Sequence, residues 1–347
     1  MADPEITTDL ATAPGSPGIE ARWTSSAKEG VGTALSPASR VWFTVSHGIL
    51  NEVYYPRVDQ ACIRDLGLIV TADDGFFSEE KRDTLQSICA MEDGVPAFRT
   101  TSRCIRGRYV IEKDIVCDPR RDVVLQRVRF RPSQADGIRY RVYALLAPHL
   151  VNSGSRNNAW LGEYKGQPML FAEGAGTALA LASSLPWAAR SVGYVGASDG
   201  WQDLAQNLRL TQHYQRAPNG NVALTGEIDL SGQGESDQSW VLALGFGRNW
   251  SEAAVLARGS LKAGFEAALG EYSAGWLEWQ SSLRPLDRPV RKYWGRSGKE
   301  EIHNTYRVSC VVLRSHESAT FPGGFIASLS IPWGSEKSDA DLGGYHL

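Results

Sequence analysis

The sequence predicts a mainly β protein in which a large antiparallel β-sandwich is followed by helices. Three observations favour this fold class. Residues 20–250 read as strand after strand, turn dipeptides separate the strands, and the hydrophobic period changes from about 2 to about 3.6 after Asn249. So many antiparallel strands over this length are typical of a sandwich rather than of a small closed barrel.

The segment 109–130 shows the strand pattern most clearly. Apolar side chains alternate along residues 109–117, a polar turn around Pro119 follows, and a second apolar run occupies residues 123–130, which is a hairpin signal. Dipeptides such as Asn219-Gly220 mark further turns. The strand pattern recurs in three later runs, at residues 140–147, 178–183 and 239–246.

After Asn249 the pattern becomes helical. Ser251 can cap a helix, and apolar residues then recur at steps of three and four as far as Leu283. We expect two helices broken near Gly259 or Gly264, ended by the dipeptide Arg284-Pro285. One face of this stretch is expected to pack against protein, and it carries Phe265, Leu269, Tyr272, Trp276 and Trp279.

The remaining chain reads as a linker, one more helix and an apolar loop. Residues 284–296 are irregular, and a helix is predicted over Lys299–Ser315 with Ile302, Tyr306, Cys310 and Leu313 on one face. The loop Phe321–Leu347 is too rich in apolar residues and glycine for a solvated tail. We expect this loop to pack into protein that the chain does not contain. In this chain alone it should be mobile, or held by contacts that the full enzyme would not make.

Composition and charge exclude several function classes. The 347 residues carry a formal net charge of −3 without a basic run, so nothing in the charge pattern indicates nucleic-acid binding. No window approaches the ~18 apolar residues of a membrane span, and residues 1–20 lack the pattern of a signal peptide, which predicts a cytoplasmic protein. Eleven tryptophans favour carbohydrate binding only weakly, because tryptophan also fills cores.

The cysteines predict free thiols. Five is an odd number, and no Cys-x-x-Cys spacing occurs, so a disulfide framework or a zinc site is not expected. We interpret them as buried and unpaired: Cys62, Cys89, Cys104, Cys117 and Cys310.

Two polar clusters are candidate sites with simpler structural interpretations. His47-Gly48, Asn51 and Glu52 could form a sugar site or an acid/base pair, but a turn with hydrogen-bonded side chains is the favoured interpretation. A second cluster could ligate calcium through its carboxylates, yet it lacks an EF-hand spacing and is better explained as an acidic hairpin tip. It consists of Asp73, Asp74, Glu79 and Glu80. No metal and no cofactor are therefore predicted.

Two longer stretches carry a family resemblance. The sequence RVWFTVSHGILNEVYYPRVD, at residues 40–59, resembles the start of the N-terminal domain of bacterial glucoamylases and glucodextranases. The sequence LRSHESATFPGGFIASLSIPWG, at residues 313–334, and DLGGYHL, at residues 341–347, resemble the opening of the catalytic domain of family 15 glycoside hydrolases. Both matches occur in the order and at the separation found in that family.

The resemblance implies a fold and a division into domains. The expected fold is an N-terminal antiparallel super-β-sandwich, similar in shape to galactose mutarotase, followed by a helical linker and the first part of an (α/α)6 toroid. The implied units are a polar tail (1–13), the sandwich domain (14–249), the helical linker (250–296) and the truncated start of the catalytic domain (297–347).

The resemblance also implies an activity that this chain does not complete. Family members hydrolyse terminal α-glucosidic bonds of glucans with inversion and release β-glucose, using two glutamates that are expected downstream of Leu347. One substrate-binding residue has a match here, Tyr345, whose counterpart lines the subsite for the terminal glucose. We therefore expect a fragment that is inactive alone, with an α-glucan or oligosaccharide as the substrate of the full enzyme and with no nucleic-acid or membrane partner.

Three other functions stay open at this level. A stand-alone carbohydrate-binding protein would use the tryptophans, and a mutarotase-like epimerase would use the sandwich shape. The epimerase would need a histidine and a carboxylate in one cleft, and the sequence does not assemble such a pair. Phosphorolysis by a related sandwich-plus-toroid family fits the stretch 321–328 less well.

Overall fold

The computed structural model describes residues 11–133, 138–234, 238–284, 305–331 and 334–340. Its strands form two antiparallel sheets. One sheet contains β1 (Gly30–Thr33), β2 (Trp42–Ser46), β3 (Ile49–Tyr54), β4 (Ala61–Ala72), β5 (Phe76–Glu79), β10 (Tyr140–Pro148), β14 (Trp187–Tyr194) and β16 (Val222–Ile228). The other contains β6 (Thr84–Glu92), β7 (Val95–Cys104), β8 (Tyr109–Cys117), β9 (Val123–Pro132), β11 (Asn157–Tyr164), β12 (Gln167–Gly174), β13 (Thr177–Ser183), β15 (Arg216–Gly220) and β17 (Gln238–Gly247).

The two sheets face each other across one hydrophobic core, as the sequence predicts. The eight-stranded sheet has the order β1-β2-β3-β4-β10-β16-β14, with β5 paired to β4. The nine-stranded sheet has the order β15-β11-β12-β13-β17-β9-β8-β7-β6. Leu125 of β9 and Leu244 of β17 meet Leu66 and Val142 of the opposite sheet in this core. The strand β17 is largely buried on both sides.

A short helix, α1 (Gly200–Asn207), lies within the region expected to be almost purely β. The carboxylate of Asp199 caps it by accepting hydrogen bonds from the backbone N–H groups of Trp201 and Gln202, at 2.9 and 3.2 Å. Leu204 of this helix packs on Ile69 of β4, on the outer face of the eight-stranded sheet. The helix therefore covers part of that outer face.

The helices α2 (Trp250–Ala263) and α3 (Phe265–Ser282) confirm the helical stretch and its break at Gly264. The capping residue differs from the prediction: the side chain of Asn249, not Ser251, accepts the hydrogen bond from the N–H of Glu252, at 3.0 Å. The reason is that the backbone of Asn249 is extended, as a capping residue requires, whereas Ser251 already lies inside the first turn.

Both helices pack on the nine-stranded sheet. The predicted face of α3 is confirmed, because Phe265, Tyr272 and Trp276 are buried and the other two members are partly buried. The indole N–H of Trp276 donates to the carbonyl of Thr33 at 2.9 Å. Close approach of α2 requires small residues, since a Cβ at Gly245 would lie 2.6 Å from the Ala253 carbonyl oxygen.

The last helix, α4 (Thr305–Ser315), buries a different face from the predicted one. Val311 and Ser315, one turn apart, are buried, whereas Leu313 is 63% exposed. The helix lies beside β1, and the Gln280 side chain at the end of α3 donates to the Arg307 carbonyl at 3.4 Å; Val311 packs against the main core. The predicted residues 299–304 lie outside the described residues.

Much of the segment after α4 packs on the sandwich, which contradicts the expectation that its packing partner is absent from the chain. Ile326, Leu329 and Ile331 are buried in a separate cluster with Trp23 and Trp42, and with Tyr54. A backbone bridge also pairs Ser338 with Arg22. We name residues 316–331 and 334–340 the docked segment, because the sandwich itself supplies the surface that sequence reasoning assigned to absent protein.

No helix among the described residues is long and apolar enough to cross a membrane.

Candidate functional site

The substrate-binding residue that the resemblance assigns, Tyr345, lies outside the described residues. Its role therefore stays a prediction. Trp333, an aromatic neighbour in the same loop, also lies outside them. Phe325 is described and is 53% exposed at the surface of the docked segment.

The His47 cluster forms the turn between β2 and β3, as favoured. His47 has a φ of 52°, and its ring nitrogen Nδ1 lies 3.0 Å from the Ser46 hydroxyl. That hydroxyl donates to the buried Asn51 side chain at 2.6 Å. Glu52 is fully buried and paired with Lys28; burial raises the pKa of Glu52, and the ion pair opposes this rise. A carboxylate without solvent access does not reach a sugar, so this cluster is structural.

The acidic cluster divides into ion pairs and a buried group. Each carboxylate has its own partner. Asp73 pairs with Arg141 at 2.6 Å, and Asp74 pairs with Arg108 at 2.7 Å. Glu79 accepts a hydrogen bond from the indole N–H of Trp201 at 2.9 Å, and Glu80 pairs with Lys113 at 2.7 Å. Glu80 contradicts the interpretation as a hairpin tip, because it is buried between the sheets. The part of the chain that the structure describes contains no group of three metal-ligating side chains.

The five cysteines are free, but only three are buried. Cys62, Cys104 and Cys117 lie in the core, whereas Cys89 is exposed and Cys310 is half-buried. Cys89 sits on β6, at the edge of the nine-stranded sheet, where one strand face meets solvent. Burial raises the pKa of the Cys62 thiol to about 12, which keeps it protonated and unreactive at neutral pH.

A cleft of about 570 Å³ opens on the outer face of the eight-stranded sheet. We name it the sheet cleft. In β4, Leu66 and Leu68 point into the core, so the alternate residues Gly67 and Ile69 line the cleft. Its floor is apolar and comes from β3, β4, β10 and β16: Ile49, Gly67, Ile69, Leu145, Ala147 and Ala223. Gly67 keeps this floor low, because a Cβ there would lie 3.0 Å from Ile49.

Three separate parts of the chain build the walls of the sheet cleft. They are the N-terminal segment 19–22, the residues 79–82 from the end of β5 onward, and the start of α1. The rim is highly polar yet electrically balanced. Four cationic side chains (Arg22, Arg64, Lys81, Arg82) and four acidic ones (Glu20, Asp65, Glu79, Asp199) line it.

Trp201 is the aromatic group of the sheet cleft, and its position is fixed on several sides. Its backbone N–H is held by the cap Asp199, and its indole N–H donates to Glu79 at 2.9 Å. Its ring meets Phe77 edge to face with 5.9 Å between centroids, and the guanidinium of Arg82 lies 5.8 Å from its centroid. These contacts place a rigid indole at the wall of the cleft.

The charged groups beside the floor are also held in place. Lys81 lies 3.0 Å from Asp65 and donates to Thr24 at 2.7 Å. Burial alone would raise the pKa of Asp65, but the charges of Lys81 and Arg64 outweigh it and lower that pKa. Asp65 is therefore ionised at neutral pH. The Nε of Arg64, 3.6 Å from Asp65, has no hydrogen-bond partner among the described residues.

Sequence reasoning missed the sheet cleft. Its members are spread from Ile19 to Ser335, and only pairing of four strands brings them together. One local signal was available: Ser198-Asp199-Gly200 before Trp201 is a helix-capping pattern that would have placed a helix and its tryptophan on the sheet.

Comparison with known proteins identifies the family. The sequence profile of the family described as "Glucodextranase, domain N" matches residues 13–281. The chain belongs to this family. The N domain, so defined, contains both sheets, α1, α2 and nearly all of α3, and therefore also the sheet cleft except Ser335.

Two relatives extend the likeness beyond the N domain. A glucoamylase from Clostridium sp. (strain G0005) is 32% identical over 331 residues, which are 95% of this chain and 45% of that protein. A crystal structure of a bacterial glucoamylase complexed with acarbose has a TM-score of 0.89 at 32% identity, over 97% of this chain and 48% of that chain. The chain thus spans about half the length of these relatives. They confirm the predicted resemblance to glucoamylases, which are glycoside hydrolases, and the fold of an N domain followed by the start of a helical region.

Proposed function

We propose that the chain is the front part of an inverting, exo-acting α-glucosidase of the glucoamylase or glucodextranase type. Such an enzyme releases β-glucose from the non-reducing ends of α-glucans. The likeness to a glucoamylase over 95% of the chain supports this proposal, because it continues past the N domain into α4 and the docked segment. A sandwich protein with an unrelated function would not need to retain α4 and the docked segment.

The chemistry requires more than the described residues offer. Inversion needs two carboxyl groups roughly 6.5–9.5 Å apart, one protonated and one ionised, in a largely dry pocket. After α3, the described carboxylates are Glu317, Glu336 and Asp339. Glu317 is paired with Arg314, and Asp339 accepts a hydrogen bond from the Gly154 N–H of the sandwich. Neither is free to act on a glycosidic bond, and Glu336 alone does not provide the two carboxyl groups.

We therefore expect both catalytic glutamates downstream of Leu347, and the chain alone to be inactive. Three further carboxylates, Glu300, Glu301 and Asp341, lie outside the described residues. In this proposal the sandwich serves as a structural partner that holds the first elements of the helical domain. The packing of Ile326, Leu329 and Ile331 on the sandwich supports that role.

The test is glucose release from maltose, isomaltose and soluble starch. The chain ending at Leu347 should release none, whereas a protein extended along the same reading frame should release glucose whose first-formed anomer, followed by NMR, is β. In the extended protein, Tyr345→Phe should weaken binding of the terminal glucose and raise KM. A release of α-glucose would refute inversion. Activity of the short chain that disappears in His47→Ala would place the chemistry in the sandwich and overturn the proposal.

The epimerase alternative is weakened by the sheet cleft itself. Such an enzyme needs a histidine and a carboxylate on one substrate, but no histidine is among the described residues that line the cleft. A cytoplasmic location also stays a proposal, supported by the five free cysteines. Fractionation of the producing cells would test it, and activity in the culture medium would contradict it.

A further inference from the structure

We infer that the sheet cleft is a non-catalytic binding site for a neutral oligosaccharide, and that its ligand is a short α-linked glucan. The choice of α-glucan rests on the proposed function, whereas the assignment of a neutral sugar rests on the cleft alone.

The size and lining of the cleft fit a small ligand. Small-molecule sites have volumes of roughly 300–1,000 Å³ and combine an apolar surface with a few fixed polar groups. The sheet cleft has about 570 Å³, an apolar floor on four strands, and polar groups around that floor. A sugar ring has the matching character, with apolar C–H faces and a rim of hydroxyl groups.

The charge balance selects a neutral ligand. An anion site would need an excess of cations, and a cation site an excess of carboxylates. Here four of each face the same space, and several are already paired: Asp65 with Lys81 at 3.0 Å, Glu79 with Arg82 at 3.3 Å and Glu20 with Arg22 at 3.6 Å. Charged side chains held in pairs both donate and accept hydrogen bonds, which is what a sugar hydroxyl requires.

The indole of Trp201 supplies the apolar contact. Tryptophan combines a large apolar surface with a rigid side chain, so it binds with little loss of conformational freedom. Trp201 is already fixed by Phe77 and Glu79, so ligand binding does not have to order it. A second tryptophan offers a matched control. Trp250 is 42% exposed at the start of α2, on the other side of the sandwich, and also makes one edge-to-face contact, with Phe171.

The experiment is calorimetric titration of the chain with maltotriose, maltohexaose, isomaltotriose and cellohexaose, together with tryptophan fluorescence. We expect saturable binding of at least one α-glucan in the millimolar range, little changed between low and high salt because the ligand is neutral. Trp201→Ala should weaken it at least tenfold, and Trp250→Ala should leave it unchanged. Thermal melting of each variant confirms folding.

A second variant protects the test against a folding defect. Ala147→Leu adds bulk to the half-buried floor without removing any polar contact, and it should also abolish binding. Binding that survives both Trp201→Ala and Ala147→Leu would overturn the location. Absence of binding by every sugar would overturn the inference, and tighter binding of a uronic-acid oligosaccharide would overturn the neutral ligand. Glucose release by the extended protein is measured separately, so failure of the proposed function is distinguishable from failure of the cleft.

Discussion

At the scale of single residues, the sandwich contains a buried ion pair between Glu80 and Lys113. Glu80 follows β5 of one sheet and Lys113 lies in β8 of the other, and their side chains meet at 2.7 Å with almost no solvent exposure. Burial lowers the pKa of Lys113, while the charge of Glu80 opposes this shift. Glu80 also accepts hydrogen bonds from the Ser102 hydroxyl and the Leu68 N–H, at 3.0 and 3.2 Å. One carboxylate thus ties two sheets together.

Removing that carboxylate charge should be costly. Glu80→Gln leaves the Lys113 ammonium without a counter-charge, and we expect it to lower the free energy of unfolding by about 3–5 kcal/mol. Lys113→Met in the same protein should restore part of the loss, because the uncompensated charge is then gone. The control is Arg57→Gln, which breaks an exposed pair with Asp59 and should cost no more than about 1 kcal/mol. Urea unfolding measures all three; equal losses in both single variants would contradict the argument.

A second buried group links stability to pH. His149 is 1% exposed and lies edge to face with Trp23, 4.7 Å between centroids. Burial, with the nearby charge of Arg64, lowers its pKa to about 3, and Asp65 only partly compensates. The carboxylate of Asp339 is 4.0 Å from Nδ1, beyond hydrogen-bond distance. The native protein therefore keeps this imidazole neutral.

The direction of the pH effect follows from that shift. In the unfolded chain His149 takes up a proton below pH ~6.5, but in the native protein only near pH 3, so stability falls as the pH drops through this window. Between pH 7 and 5, wild type should lose about 2 kcal/mol more than His149→Leu. The exposed His213 provides the control, since His213→Leu should keep the wild-type slope. Parallel slopes for all three proteins in urea titrations would refute the neutral buried imidazole.

At the scale of elements, the docked segment is the part that sequence reasoning judged least well. Its apolar residues were recognised, but their partners, Trp23, Trp42 and Tyr54, lie almost a whole chain length away. The hydrophobic pattern of a short stretch of sequence does not show which distant residues it will pack against. For α3 the outcome was better, because a steady period fixes the buried face whatever lies opposite it.

Docking of this segment can be weakened without damage to the sandwich. Leu329 is 1% exposed, and Leu329→Ala should remove about 2–5 kcal/mol of packing from the docked segment. We expect faster hydrogen exchange and faster proteolysis within residues 316–340, with the exchange of β8 and β9 unchanged. Phe321→Ala is the control, since Phe321 is 67% exposed. Uniformly faster exchange in Leu329→Ala would mean that segment and sandwich unfold as one unit.

At the scale of the whole molecule, the sequence predicted the two-layer architecture because alternation and turns are local properties. Tyr109, Ile111 and Ile115 face the core as their spacing predicts. The sheet cleft could not be predicted in the same way. Arg64 and Trp201 are 137 positions apart, and they line one cleft only because β4 sits beside β10 and β16 and α1 folds over that sheet. A site that is formed by neighbouring strands can be recognised only when the order of the strands in the sheet is known.

The docked segment also has a consequence for how the protein is made. Ser26 and Ser330 are joined by a hydrogen bond across 304 positions, so a segment of the sandwich is covered by one that is synthesised much later. Domains generally fold in order as the chain leaves the ribosome. The sandwich therefore leaves the ribosome with Trp23, Trp42 and Tyr54 uncovered. These side chains form an exposed apolar surface that chaperones or neighbouring nascent chains can bind. It is closed only after synthesis has passed into the helical region, which makes completion of the first domain depend on the arrival of the second.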